Sequence, residues 1–128
     1  ASILGRNLDL GSAYTTKSLD YAQRILKINK EDPEANLWFG FSLSEGGGQK
    51  EALPYLDKAT KQGVQEAYLS TANTYLGMEQ KKNAIQTLKN YKVKYPSEAE
   101  VADRLIQEIE KQGRYNVWQI LKNPAQAK

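Results

Sequence analysis

The sequence of 128 residues contains no cysteine and no histidine. These two absences exclude thiol nucleophiles, disulfide bonds and thiolate or imidazole metal ligands, and they remove the side chain that enzymes use most often as a general base. No apolar run reaches the roughly 18 residues of a membrane-spanning helix, and no basic segment followed by an apolar one opens the chain. We therefore expect no enzymatic activity, no metal, no cofactor and no transmembrane segment.

The charged residues are nearly balanced, with 18 lysines and arginines against 15 acidic residues and a net charge of +3. This excess favours acidic surfaces only weakly and is too small to indicate a dedicated nucleic-acid-binding protein. Hydrophobic residues make up 40% of the chain, which is ordinary for one globular domain. Because the sequence opens on Ala1, we leave open a leader or a lipid-anchored stem in front of it.

The most informative feature is an internal repeat with a spacing of 32 residues, as between Ala35 and Ala67. The same spacing superimposes Gly40 on Ala72, Leu43 on Tyr75, Lys50 on Lys82, Ala52 on Ala84 and Leu56 on Leu88. Self-similarity at a period of this size predicts stacked supersecondary units, because one such unit alone cannot bury its apolar face.

Each unit has the pattern of two helices joined by a turn. Apolar residues fall at helical spacing over residues 34–45 and again over 49–61, and three glycines at 46–48 separate the two segments. We interpret these glycines as a turn and not as a phosphate-binding loop, because no strand precedes them and the spacing of that motif is absent. Gly40 is predicted to face Ala52, and Ala72 to face Ala84, so that the helix axes approach closely.

Two weaker copies flank these units. A spacing of 29 places Gly11 on Gly40, and a spacing of 34 places Trp118 on Ala84. The last unit has large residues at both small positions, which predicts a terminal unit that caps the stack instead of extending it. We therefore expect one all-α domain of about four helical hairpins, with approximate bounds 2–31, 33–64, 65–97 and 98–122 and a short tail at 123–128.

The recurring small, aromatic and turn positions resemble the tetratricopeptide repeat, whose usual period is 34 residues. The residues that carry the resemblance are Leu37 to Gly40, Leu43, Gly47, Ala52 and Ala59 in one unit, and Ala72, Tyr75, Ala84 and Pro96 in the next. The sequence departs from the family pattern in two ways, since the first clear unit is two residues short and Ala72 replaces the usual glycine.

The resemblance implies a right-handed superhelical stack, a TPR-like α-solenoid, whose concave groove is lined by the first helix of each hairpin. It also implies a non-catalytic scaffold or adaptor that binds a peptide or helical segment of another protein. Bacterial proteins of this appearance serve in envelope, secretion or pilus assembly, so the bacterial cytoplasm and the periplasmic face of the envelope are both expected compartments.

Equivalent positions through the repeats define candidate groove residues. They are Leu37, Trp38 and Phe41, then Leu69, Ser70 and Asn73, and finally Arg104. Trp38 and Phe41 lie one helical turn apart and are predicted to anchor an apolar side chain of the partner, because buried aromatic residues dominate interface energetics. The alternative is that both rings pack on neighbouring hairpins or under the N-terminal segment.

Asn73 and Arg104 have two interpretations. They are candidates to hydrogen-bond the backbone or a carboxylate of a bound segment, because asparagine offers both a donor and an acceptor and arginine offers a planar fork of donors. The alternative is an ordinary solvated surface. We do not expect a clamp for a terminal carboxylate, because the predicted wall has too few basic and amide side chains.

A basic outer stripe is formed by Lys81, Lys82, Lys89 and Lys92, which fall on one side of a predicted helix. It suits an acidic protein, an anionic lipid or a nucleic acid, or it is simply a solvated face. Self-association is a further possibility, because Tyr115, Trp118 and Leu121 form an apolar stripe that would fit a neighbour's groove. Nucleic-acid binding is less favoured, since no pair of base-reading residues recurs in the repeats.

Overall fold

The computed structural model describes residues 16–112 and 116–122, and in these ranges it contains helices and turns but no strand. The helices are α1 (Thr16–Ile28), α2 (Pro33–Glu45), α3 (Gln49–Lys61), α4 (Gln65–Gly77), α5 (Lys81–Lys94), α6 (Ala99–Gln112) and α7 (Val117–Lys122), with one 3₁₀ turn at Pro96–Glu98. Each helix packs against the one that follows it. The predicted all-α class is therefore confirmed for this part of the chain. Most of the first hairpin's initial helix, including Gly11, and the tail at 123–128 lie outside the described residues.

Short turns with defined chemistry separate the helices. Asp32 caps α2, and its side chain accepts a hydrogen bond of 2.9 Å from the backbone N–H of Ala35. Gly47 follows α2 with φ of 94°, and Gly63 follows α3 with φ of 85°. Both angles lie in the left-handed region, which glycine adopts without steric cost. The glycines at these two positions are turn residues, as the sequence predicts.

Close helix approach is clearest at Gly40, in the middle of α2. A Cβ atom on this residue would lie 2.8 Å from the Leu56 side chain and 3.2 Å from the Tyr55 Cβ atom. The nearest neighbours on α3 are thus one turn beyond Ala52, the residue that the sequence suggested. The small residues Ala72 and Ala84 are fully buried, on α4 and α5. Larger side chains at these positions would force neighbouring helices apart.

The buried residues form two clusters. The smaller one joins α2, α3 and the start of α4, and it consists of Leu37, Ala52, Leu56, Ala59 and Ala67. The larger one joins Phe41 of α2 to α4, α5, α6 and α7; its members on α7 are Val117, Trp118, Ile120 and Leu121. The last helix is therefore part of the main core.

Several polar groups between the helices are paired, whereas the side-chain oxygen of Asn36 is buried without a hydrogen-bond partner in the described part of the chain. Thr74 on α4 donates to the Ser70 carbonyl and accepts from the Ser44 hydroxyl of α2, at 2.8 and 2.7 Å. The hydroxyl of the fully buried Tyr91 accepts from the Gln65 amide at 3.2 Å. Burial raises the pKa of Tyr91 above its ordinary value, because the phenolate would lose its hydration.

Ala84→Leu tests the close approach of α4 and α5. We expect it to lower the free energy of unfolding by roughly 1 to 3 kcal/mol, because the added methyl groups have no space in a fully buried position. Lys82→Leu, at an exposed position of the same helix, is the control and should change stability by no more than about 0.5 kcal/mol. Equal denaturation midpoints for the two variants would contradict the observed packing.

Tyr91→Phe tests the buried phenol. Because the folded chain holds this proton more tightly than the unfolded chain, its contribution is complete below the ordinary pKa of 10.0 and is lost as the pH rises above it. We expect the free energy of unfolding, measured in denaturant between about pH 8 and 11, to fall less steeply in Tyr91→Phe than in the parent. Tyr21→Phe, at a residue that is 61% exposed, should leave the parent's slope unchanged.

Candidate interaction site

The surface predicted to bind a partner already carries a helix of this chain. Helix α7 packs against α4 and α6, and the Trp118 ring contacts Phe41 of α2 edge to face, with centroids 6.1 Å apart. It therefore touches three of the first helices of the predicted hairpins. We call the surface of α2, α4 and α6 that carries Phe41 and Asn73 and receives α7 the inner wall.

A polar contact fixes the start of α7 on the inner wall. The side-chain oxygen of Asn73 on α4 accepts a hydrogen bond of 2.9 Å from the Val117 backbone N–H. Asn116 accepts from the N–H groups of Trp118 and Gln119 at 2.9 and 3.3 Å, as an N-capping residue does. The first N–H groups of a helix have no partner within it, so these contacts satisfy donors that would otherwise be exposed or unpaired.

The apolar side of α7 is buried against the inner wall. Val117, Ile120 and Leu121 are almost completely buried, and only 7% of Trp118 is exposed. A helix of six residues forms too few hydrogen bonds to be stable alone in water. The packing of these side chains on the wall therefore holds α7 in place.

Four of the predicted groove residues do not line an open groove. Leu37, Phe41, Leu69 and Ser70 are each at most 2% exposed. Leu37 belongs to the smaller core cluster, and Phe41 and Leu69 belong to the larger one. Helical periodicity correctly indicates that α2 has two apolar sides, but Phe41 is covered by a helix of its own chain.

Two predicted groove residues, Trp38 and Asn73, make the kinds of contact predicted for them, an aromatic contact and a hydrogen bond to a backbone N–H. Trp38 is partly buried, and its ring lies perpendicular to Phe41 with centroids 6.2 Å apart. Phe41 thus stands between Trp38 and Trp118 in a row of three aromatic rings. Asn73 makes the backbone hydrogen bond predicted for a bound segment, although the segment is α7.

Arg104 on α6 has no acceptor among the described residues. Its Nε and Nη2 atoms are shielded from solvent and make no hydrogen bond there. The indole nitrogen of Trp118 is likewise buried without an acceptor in the described part of the chain. Buried donors without acceptors are costly, because each has given up hydrogen bonds to water.

A gap remains beside the start of α7. It has a volume of about 200 Å³ and is bounded by residues of three helices, α2, α3 and α4, and by Asn116. The lining includes Ser44, Glu45, Gln49 and Asn73. Among the described residues, this gap marks the place where α2 and α4 meet the N-terminal cap of α7.

The basic outer stripe is exposed along α5, but two of its four lysines contact α6. Lys92 forms an ion pair of 2.8 Å with Asp103, and Lys81 donates to the Glu110 carbonyl at 3.4 Å. Lys82 and Lys89 form no ion pair within the described residues. Two lysines of the stripe thus contact α6. Exposed contacts of this kind contribute little to stability.

Two features of the structure were not anticipated from the sequence. Asn116 precedes the apolar residues of α7, which is the usual signal for a helix cap, and this signal would have located the start of the helix. A second cleft of about 680 Å³ lies between α1, α2 and α3, where the rings of Phe39 and Tyr55 meet at 4.7 Å. Its lining also includes Lys27 and Lys30. Helical periodicity alone does not predict that these two residues lie near α3.

Within residues 16–112 and 116–122, no three acidic side chains gather as a metal-binding group would require. In the same part of the chain, no helix combines the length and apolar character needed to cross a bilayer. Comparisons with models of protein families, with curated proteins and with solved structures give no match.

Asn73→Ala tests the polar contact to α7. Removing the amide takes away the acceptor of the Val117 N–H, which should weaken the docking of α7 by about 1 kcal/mol. We expect faster amide hydrogen exchange in α7 and no change in α3, measured residue by residue. Asn90→Ala, at an exposed position of α5, is the control. Unchanged exchange in α7 would show that this hydrogen bond does not hold the helix.

Proposed function

We propose that this chain is a non-catalytic scaffold of the tetratricopeptide-repeat type, which binds a helical segment of another protein on its inner wall. The observation that carries the proposal is the position of α7. A short amphipathic helix buries its apolar side on the surface that the repeat register marks as the groove, and Asn73 holds its backbone. A surface that accepts one such helix has the shape and chemistry to accept another.

The arrangement of the helices supports the superhelical part of the proposal. Helices α2 to α5 have 13, 13, 13 and 14 residues and are joined by short turns. Besides packing on its successor, α2 also contacts α4, the first helix of the next predicted hairpin. Such contacts between equivalent helices are what a right-handed stack of hairpins requires. The role in bacterial envelope, secretion or pilus assembly rests on the family resemblance alone.

The experiment that tests this function is affinity capture from the source cell with the tagged chain and with Trp38→Ala. If Trp38 and Phe41 anchor the partner, the variant should retain less than about a tenth of the captured partner, since loss of an aromatic anchor costs about 2 kcal/mol or more.

Tyr21→Ala is the matched control, because Tyr21 is an exposed aromatic residue outside the inner wall. A circular dichroism spectrum should show that both variants remain helical. Equal capture by the parent and by a folded Trp38→Ala variant would contradict binding at this surface.

Self-assembly is the second candidate, and the apolar character of α7 favours it. Four of the residues from Val117 to Leu121 belong to the core, so α7 of one copy has the pattern needed to occupy the inner wall of another. Tyr115, which the sequence adds to this stripe, lies outside the described residues. A mass that rises with protein concentration, and that Trp118→Ala abolishes, would favour this function over a scaffold for a different protein.

A further inference from the structure

The cleft between α1, α2 and α3 is separate from the inner wall. Phe39 lines the cleft and Phe41 lies on the inner wall, and because they are two residues apart in α2 they point to nearly opposite sides of that helix. Trp118 of α7 covers the Phe41 side. The Phe39 side instead faces a space of about 680 Å³, whose lining residues all lie between Gln23 and Lys58, in the described part of the chain.

The cleft has the size and the apolar surface of a small-molecule site. Such sites have volumes of roughly 300 to 1,000 Å³. The apolar lining consists of Leu26 of α1, Phe39 of α2, and Pro54 and Tyr55 of α3. Leu26, Phe39 and Tyr55 are only partly buried, and Pro54 is exposed. A ligand that covers this surface removes apolar groups of three helices from water, which favours binding.

The packing of α2 on α3 holds two aromatic rings together in the cleft. Gly40 has no side chain, and a Cβ atom there would lie 3.2 Å from the Tyr55 Cβ atom, so the two helices approach closely next to Phe39. The rings of Phe39 and Tyr55 meet edge to face, with centroids 4.7 Å apart and an interplanar angle of 79°. A flat aromatic ligand suits this pair, because stacked and edge-to-face ring contacts are both favourable.

The cleft is positively charged. Among the described residues that line it are three lysines and no acidic residue; the lysines are Lys27 at the end of α1, Lys30 directly after it, and Lys58 of α3. Lys58 forms an ion pair of 3.0 Å with Glu31, whereas Lys27 and Lys30 form no ion pair within the described residues. A negative charge on a ligand in the cleft is therefore complementary to these two ammonium groups.

Hydrogen bonds hold the turn that carries Lys30. The Asn36 amide donates to the Lys30 and Asp32 carbonyls at 3.0 and 2.8 Å. From α3, the Gln62 amide donates to the Glu31 carbonyl. The turn between α1 and α2 is thus tied to α2 and α3, and this end of the cleft is formed without a ligand. A preformed site loses less conformational entropy on binding than a flexible one.

We propose that this cleft binds a small aromatic anion, such as an aryl carboxylate, with its ring against Phe39 and Tyr55 and its charge beside Lys27 and Lys30. Because the rings belong to α2 and α3 and the lysines to the end of α1, a ligand contacts both groups only if it carries both a ring and a charge. The site goes beyond the proposed scaffold function, which uses the inner wall.

The test uses the full chain, isotope-labelled for NMR, and follows backbone amide shifts during titration with naphthylacetate. Naphthylacetamide has nearly the same shape without the charge, and decanoate has the charge without a ring. The variants are Phe39→Leu and the pair Lys27→Gln with Lys30→Gln. The pair Lys82→Gln with Lys89→Gln is the matched control, because it removes the same charge from exposed residues of α5, which does not line the cleft.

We expect naphthylacetate to shift amides of α1, α2 and α3 beside the cleft and to leave those of α6 unchanged. It should bind the parent about fivefold or more tightly than naphthylacetamide does, because only the acid is attracted by the ammonium groups. Loss of Lys27 and Lys30 should weaken its binding about fivefold and reduce its dependence on salt, whereas the control pair should bind like the parent. Phe39→Leu should weaken its binding about threefold or more.

The absence of saturable shifts at up to about 5 mM naphthylacetate would overturn the site. Equal binding of the acid and the amide, or equal binding by the two lysine pairs, would overturn an anionic ligand. Tighter binding of decanoate than of naphthylacetate would overturn an aromatic one. Circular dichroism checks that the variants are folded, and Tyr55→Leu replaces Phe39→Leu if that variant is not. None of these outcomes changes the expected capture of a partner by the inner wall.

Discussion

The contact between α7 and the inner wall is the interaction on which the interpretation of this structure depends. It joins segments far apart in the chain, since Asn73 and Val117 are 44 residues apart, and it places Trp118 against Phe41 at the centre of an aromatic row. A helix of two turns persists only if its side chains are buried elsewhere. The candidate site is therefore continuous with the main core, and α7 contributes four residues to that core.

Small residues between consecutive helices make that surface possible. Gly40 brings α2 close to α3, and the buried Ala72 and Ala84 lie in the next two helices along the chain. Phe41, next to Gly40 in α2, and Asn73, next to Ala72 in α4, contact α7. The same packing fixes the backbone of α4, which carries Asn73.

Arg104 differs from the polar groups between α2 and α4 in how its hydrogen bonds are satisfied. A core built for stability alone would not shield two guanidinium nitrogens from water without an acceptor, because such groups are costly when unpaired. The Ser44 and Thr74 hydroxyls, by contrast, are joined by a hydrogen bond between α2 and α4, and Thr74 also donates to the Ser70 carbonyl within α4. Two nitrogens of Arg104 are thus unsatisfied within the described residues, whereas the hydroxyl groups between α2 and α4 are paired.

The sequence by itself determined the helices, their turns and the two apolar sides of α2, because these depend on local periodicity and on glycines such as Gly47 and Gly63 that accept a positive φ. It also marked Trp38, Phe41 and Asn73 as special positions. The tertiary structure alone decided that Phe41 is covered by Trp118, and that Asn73 caps a helix of its own chain. Periodicity shows that a side chain needs to be covered, but the covering surface is chosen by contacts between distant segments, which no local pattern encodes.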